Sequence, residues 1–318
     1  MRFCLMIEGQ EGVTWEQWLS LALACEEHGF EALFRSDHYY SVVDAPDRGS
    51  TDAWTLLAAL SARTERVRLG TLVSPVTFRH PTVLAKAATT VDEISGGRAE
   101  LGLGAGWWTE EHETHGFPFP PVAERMQMLA EQLEIVHGLF KEPVFTFEGR
   151  HYTLRNCPFI PKPVQQPHLP VIVGGKGGAG IAGLAARWAD EYNTFFVGAD
   201  EARTRFTRVR DAVDAEGRDQ ETFTTSLMTQ VAVGADRAEL IRRIERLMDL
   251  DPDASGSPDD YLEEMASHGA VVGTPEQAVE RLEAFEEAGV QRVMLQDLLV
   301  EDLEMLALLG AEVFPQLG

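Results

Sequence analysis

Three separated segments hold the residues of this chain best suited to chemistry: Ser36-Asp37-His38, Gly104-Ala105-Gly106-Trp107 and Gly174-Gly175-Lys176-Gly177-Gly178. Each follows a short apolar run that reads as a buried strand: Ala32-Leu33-Phe34, Ala99 to Leu103, and Val171-Ile172-Val173. Polar and glycine-rich residues just past several buried strands are how an α/β barrel builds its active site. Together the three segments predict a phosphate-bearing cofactor with a histidine beside it. Glycines let a helix N-terminus and its free N–H groups approach an anion. A histidine at a strand end, next to Asp37, suits general acid–base work or a cofactor contact.

Other chemistries compete for the same residues. Gly175-Lys176-Gly177-Gly178-Ala179-Gly180 fits G-x-G-x-x-G between a strand and a helix, as in a dinucleotide-binding domain. It lies in mid-chain, however, and Asp190 and Glu191 come earlier than the acidic residue of that fingerprint. A Walker motif fails because Gly177 follows Lys176. His112-Glu113-Thr114-His115 is one residue short of H-E-x-x-H, and the Gly116-Phe117-Pro118 after it argues against a stable helix, so no metal is expected. Trp107 and Trp108 are adjacent at a strand end, where both cannot face a core, so at least one should line a cleft. No G-x-S-x-G or other nucleophile motif is present.

The elements that must position these residues alternate. An opening strand from Arg2 precedes an amphipathic helix, with Trp15, Trp18, Leu19, Ala22 and Cys25 on one face, Thr14 as its cap and Gly29 as its stop. Strands at 31–35, 67–73, 99–103, 171–173, 191–195, 223–233 and 291–295 follow. Helices are expected within 52–64, from Pro81 to Ile94, through Leu129 to Phe140, and over 179–189 and 201–216. A charged helical region at 236–268 breaks at Asp251 to Pro258, Thr274-Pro275-Glu276 starts a capped helix, and 300–314 is the last. The rhythm stops over 141–170, where Phe145 to Tyr152 reads as a hairpin and five prolines hold the chain extended, then resumes. A single (β/α)8 barrel over 1–318 with an insertion around 141–170 fits best.

Composition narrows the function. The 318 residues are 44% hydrophobic, enough for a full core, and carry a net charge of −24. Such a charge opposes nucleic-acid binding and adhesion to anionic membranes. No segment approaches the ~20 apolar residues of a membrane helix. Cys4, Cys25 and Cys157 show no metal-ligand spacing and fit reduced thiols in a cytoplasmic protein.

The chain resembles the luciferase-like flavin and deazaflavin oxidoreductases, in particular the branch that uses coenzyme F420. The resemblance spans nearly the whole length. It rests on Glu27-His28-Gly29-Phe30 leading to Ser36-Asp37-His38, on Gly70-Thr71-Leu72-Val73 with Arg79-His80-Pro81, and on Asp92 to Arg98 leading to Gly102 to Trp107. Pro118 to Arg125, Val171 to Gly175, Ala189 to Asn193 and Val272-Gly273-Thr274-Pro275 complete it. It implies a bacterial-luciferase-like barrel with the cofactor ring across the C-terminal strand ends. Asp37 would contact the ring, and Leu72, Val73 and Ser74 would form a bulge beneath it, with a non-prolyl cis peptide. Gly104, Gly106 and Gly174, Gly175, Lys176, Gly177 and Gly178 would bind the cofactor's tail and phosphate, Trp107 would also contact the cofactor, and His38, as the catalytic residue, would stand near the reacting face. A homodimer taking a small-molecule substrate is implied too. The sugar-phosphate and alcohol dehydrogenases of the family carry Glu where this chain has Trp107, so their acid does not transfer. A deazaflavin shuttles hydride and reacts poorly with oxygen, unlike reduced FMN. F420-dependent hydride transfer is therefore the first expectation, with FMN-dependent monooxygenation and a catalytically silent flavin carrier as alternatives.

Overall fold

Eight short apolar strands, each buried on both faces, close on one another in the computed structural model, which describes residues 1–43 and 48–317. They are β1 (Arg2–Ile7), β2 (Ala32–Arg35), β3 (Arg68–Thr71), β4 (Ala99–Gly104), β5 (Val171–Gly174), β6 (Glu191–Phe195), β7 (Thr224–Val233) and β8 (Arg292–Gln296). Every neighbouring pair is parallel, and β8 returns to β1 with Arg2 opposite Arg292 and Leu5 opposite Leu295. The sheet is therefore a closed (β/α)8 barrel, as the alternation predicts. Side-chain alternation sorts two cores. Leu5, Leu33, Leu69, Leu101, Val173, Leu227 and Val293 pack outward against the helices. Cys4, Met6, Ala32, Phe34, Ile172, Met228 and Met294 fill the interior. Its N-terminal end is plugged by Arg292, whose guanidinium donates to Glu100 at 2.7 and 3.0 Å and to Glu191 at 3.0 Å.

The insertion holds the expected hairpin, Val144–Glu148 against Thr153–Pro158, followed by cis bonds before Pro161 and Pro167. Three local expectations need correction. Residues 109–115 do form a helix, Thr109–His115, because Gly116 closes it in the left-handed conformation at φ 70°. A further short strand, Val271–Gly273, extends β7 by pairing with Val231 to Val233. The last helix is shorter, Leu303–Leu308, and continues as tighter and wider turns to Gln316. Among the described residues no helix is long and apolar enough to cross a membrane.

β3 ends irregularly. Gly70 pairs with Glu100, and beyond the strand Ser74 pairs with Leu103. Three residues separate Gly70 from Ser74 but only two separate Glu100 from Leu103, so β3 carries one extra residue. That bulge contains a cis Leu72–Val73 bond.

Candidate active site

The polar side chains past the strand ends converge on the C-terminal mouth of the barrel. β1 delivers Glu8, Gly9 and Gln10; β2 delivers Ser36, Asp37 and His38. The Gly9 N–H donates to Ser36 Oγ at 2.9 Å, and that hydroxyl donates to Gln10 Oε1 at 2.5 Å, tying the two loops together. Asp37 is 2% exposed and turned away from solvent. Its Oδ2 accepts from Ser74 Oγ and from the Arg79 guanidinium, each at 2.5 Å. Arg79 also donates to Asp52 and to the Tyr39 hydroxyl, both at 2.7 Å. Asp37 thus fixes Ser74, and with it the bulge.

Val73 forms the floor of the mouth. A β-carbon on Gly104 would stand 2.6 Å from Val73 Cγ2, and one on Gly174 3.0 Å from Val73 Cγ1. These two glycines therefore act sterically, leaving the space that the Val73 side chain occupies. Farther out, Gly106 turns the chain at φ 76° and Gly177 at φ 70°. Gly178 precedes helix Ala179–Trp188 without a side-chain cap, leaving that helix's first N–H groups free of one. Lys176 projects into solvent beside it.

The wall is aromatic. Trp107 is 64% exposed and stacks on Trp108 with centroids 5.6 Å apart, 11° from parallel. Both present their faces or edges to His38 at 5.9 Å. Tyr40 adds to the wall at 5.5 Å from Trp108.

His38 is held by a residue that the sequence pattern does not single out. Glu111, wholly buried, accepts from the His38 ring at Nδ1 at 2.8 Å and from the Tyr39 backbone N–H at 2.6 Å. Burial pulls the imidazole pKa down, but the Glu111 hydrogen bond and charge, with Glu8 and Asp37 adding, push it above its ordinary value. Next to it His112 is locked by Thr77 and the Trp108 carbonyl, both at 2.6 Å, and burial lowers its pKa. The signal for Glu111 was the Glu110-Glu111 pair opening a helix just after the glycine turn. It goes unread when residues 109–115 are not expected to be helical.

Residues 1–292 match the family model for luciferase-like monooxygenases. The chain belongs to that family. Among its relatives, the F420-dependent glucose-6-phosphate dehydrogenase of Nakamurella multipartita is 30% identical over 316 residues, covering 93% of this chain and 91% of its own length. Among solved structures, an F420-dependent secondary alcohol dehydrogenase bound to an F420–acetone adduct superposes with a TM-score of 0.83 at 19% identity, covering 100% of this chain and 99% of the other. The monooxygenase RslO1 from Streptomyces bottropensis does so at 0.82 and 22%, covering 100% of both chains. The two superpositions speak to the fold alone. In this luciferase-like chain, the predicted residues His38, Leu72, Val73, Ser74, Gly104, Trp107 and Gly174 meet at one barrel mouth. Asp37 lies behind them, and Gly175 to Gly178 form the turn past β5.

Proposed function

We propose that this luciferase-like protein is an F420-dependent oxidoreductase that transfers a hydride between the deazaflavin and a small organic substrate. The observation that carries it is the barrel mouth itself, where an apolar floor at Val73 and an aromatic wall at Trp107 and Trp108 flank His38. The F420-dependent relative aligned along nine-tenths of the chain supports the same cofactor. The residues fit a flat ring with an anionic tail. Glycines at 104 and 174 keep the floor flush, and Gly177 and Gly178 leave the N-terminus of helix Ala179–Trp188 open to an anion, with Lys176 at its edge. Gly104, Gly106, Trp107 and Gly174 to Gly178 would border the cofactor, and Leu72 to Ser74, braced by Asp37, would support the ring. The bound deazaflavin supplies a carbon centre that accepts or delivers hydride. The protein's share is to orient it, exclude water behind the aromatic wall, and move a proton at His38 Nε2.

The substrate is read as a neutral, apolar or aromatic molecule. Arg79, Arg48 and Arg125 at the rim are each committed, to Asp37 and Asp52, to Glu11, and to the Ala105 and Pro120 carbonyls respectively. With Lys176 assigned to the cofactor, none of these is left for a sugar phosphate. We also take the protein to be a cytoplasmic homodimer. The testing experiment is a side-by-side titration of the purified protein with F420 and FMN. F420 should bind more tightly; FMN that copurifies and resists displacement by high-micromolar F420 would overturn the cofactor assignment.

A further inference from the structure

Glu111 is wholly buried and both of its oxygens are used, one by His38 Nδ1 and one by the Tyr39 N–H. A buried carboxylate needs a compensating charge or donor set close by. The cations around the mouth are committed elsewhere: Arg79 to Asp37 and Asp52, and Arg125 to backbone carbonyls at Ala105 and Pro120. Among the described residues, the titratable side chain hydrogen-bonded to Glu111 is the His38 imidazole. With Nδ1 held by the carboxylate, Nε2 has no partner among the described residues, and 16% of the side chain remains exposed beside the indoles.

We propose that Glu111 is a positioning residue that keeps His38 as an imidazolium with Nε2–H turned towards the indoles, poised to donate a proton when the site works in the reductive direction. This rests on the hydride-transfer reading above and adds a direction and a substrate class to it. The substrate would carry a polar or conjugated double bond: an aromatic or apolar ketone, enone or imine. The carbon end takes hydride, and so two electrons, from the reduced deazaflavin, which is oxidised. The displaced π pair goes to oxygen or nitrogen (in an enone, through the enolate). That atom takes the proton from His38 Nε2, leaving a neutral imidazole that solvent reprotonates. The charges facing His38 agree with this assignment. Glu111 from helix Thr109–His115, Glu8 past β1 and Asp37 past β2 favour the cation; burial and the neighbouring His112 oppose it.

The test has two readouts. In the ligand-free protein, NMR titration of the His38 ring should give a pKa above the ordinary ~6.5, moved down in Glu111→Gln and restored in part in Glu111→Asp. A His38 pKa at or below 6.5 in the wild type, or one that Glu111→Gln leaves in place, overturns the proposal, whatever the cofactor proves to be. In the F420-loaded enzyme, single-turnover reduction of an aromatic enone should slow as pH rises through the His38 pKa. Glu111→Gln should shift that limb to lower pH and cost about tenfold or more at pH 8. If F420 fails to bind, the function reading fails alone, since the NMR titration still decides on Glu111.

Discussion

At the scale of single residues, His38→Ala separates chemistry from binding. A positioned acid or base contributes ~10²–10⁴ in rate, whereas one lost ring contact costs about 1 kcal/mol in affinity. Single-turnover hydride transfer at saturating cofactor should therefore fall by at least about a hundredfold. The cofactor Kd should change by less than about tenfold. The reverse pattern would assign His38 to cofactor binding, and a near-normal rate would remove its catalytic role. A carboxylate behind a strand-end histidine was not legible in the same way. Glu111 is 73 residues away in sequence, and the Glu110-Glu111 pair after the glycine turn points to it only once residues 109–115 are known to be helical. Asp37 is a milder case. Its position beside His38 was plain, but its partners Ser74 and Arg79 turn it into a brace for the bulge.

Elements were legible where local chemistry and burial agree. Thr14 and Thr274 cap their helices reciprocally with Gln17 and Gln277, and Pro81 opens its helix, as such residues do wherever they occur. Helix Thr109–His115 had no such signal. It is seven residues long, lacks an apolar period, and is held by tertiary bonds from Glu111 and His112 to β2 and β3 loops. The glycines past the strands were visible as a group, yet each acts differently. A β-carbon at Gly102 would collide with the Thr71 carbonyl, and would stand 2.9 Å from Val73 Cγ1, whereas one at Gly178 meets nothing within 4 Å. Gly102→Ala should cost about 3 kcal/mol or more in urea unfolding through displacement of the bulge. Gly178→Ala should leave stability within about 0.5 kcal/mol while raising the F420 Kd about tenfold. Equal effects on stability would remove the distinction. Past β8, Asp297 is 1% exposed, with no partner for Oδ2 among the described residues. Burial, reinforced by Asp302, pushes its pKa up to about 7 against the Leu299 N–H, Arg243 and Arg246. The folded state then keeps a proton that the unfolded chain releases near pH 4, so stability should decline as pH rises from there and level off above about 7. Asp297→Asn should remove a few kcal/mol of that decline, since each pH unit between the unfolded and folded pKa values is worth about 1.4 kcal/mol. Parallel Tm-versus-pH curves for the two proteins would deny it.

For the whole molecule, charge and apolar surface pull in opposite directions. A net charge of −24 makes copies repel one another, so association needs a face where apolar burial outweighs that repulsion. The helices after β3 and β4 offer one. Val83 (59% exposed) and Ile94 (47%) lie eleven residues apart, three turns along one face of helix Pro81–Ser95. Val122 (61%) opens helix Val122–Lys141, and Ile160 (78%) follows the hairpin, linked to the first helix by Lys86, which donates to the Ile160 carbonyl at 2.9 Å. Light scattering should give twice the 35.2 kDa chain mass. Because Debye screening shortens charge repulsion to about 10 Å at 0.1 M salt, the dimer should tighten as salt is raised. Val83→Glu combined with Ile94→Glu places two further charges on that face. It should yield a folded monomer, with helical circular dichroism kept and the mass halved. A wild-type monomer at tens of micromolar would end the proposal, and a double variant that stays dimeric would move the interface to another face.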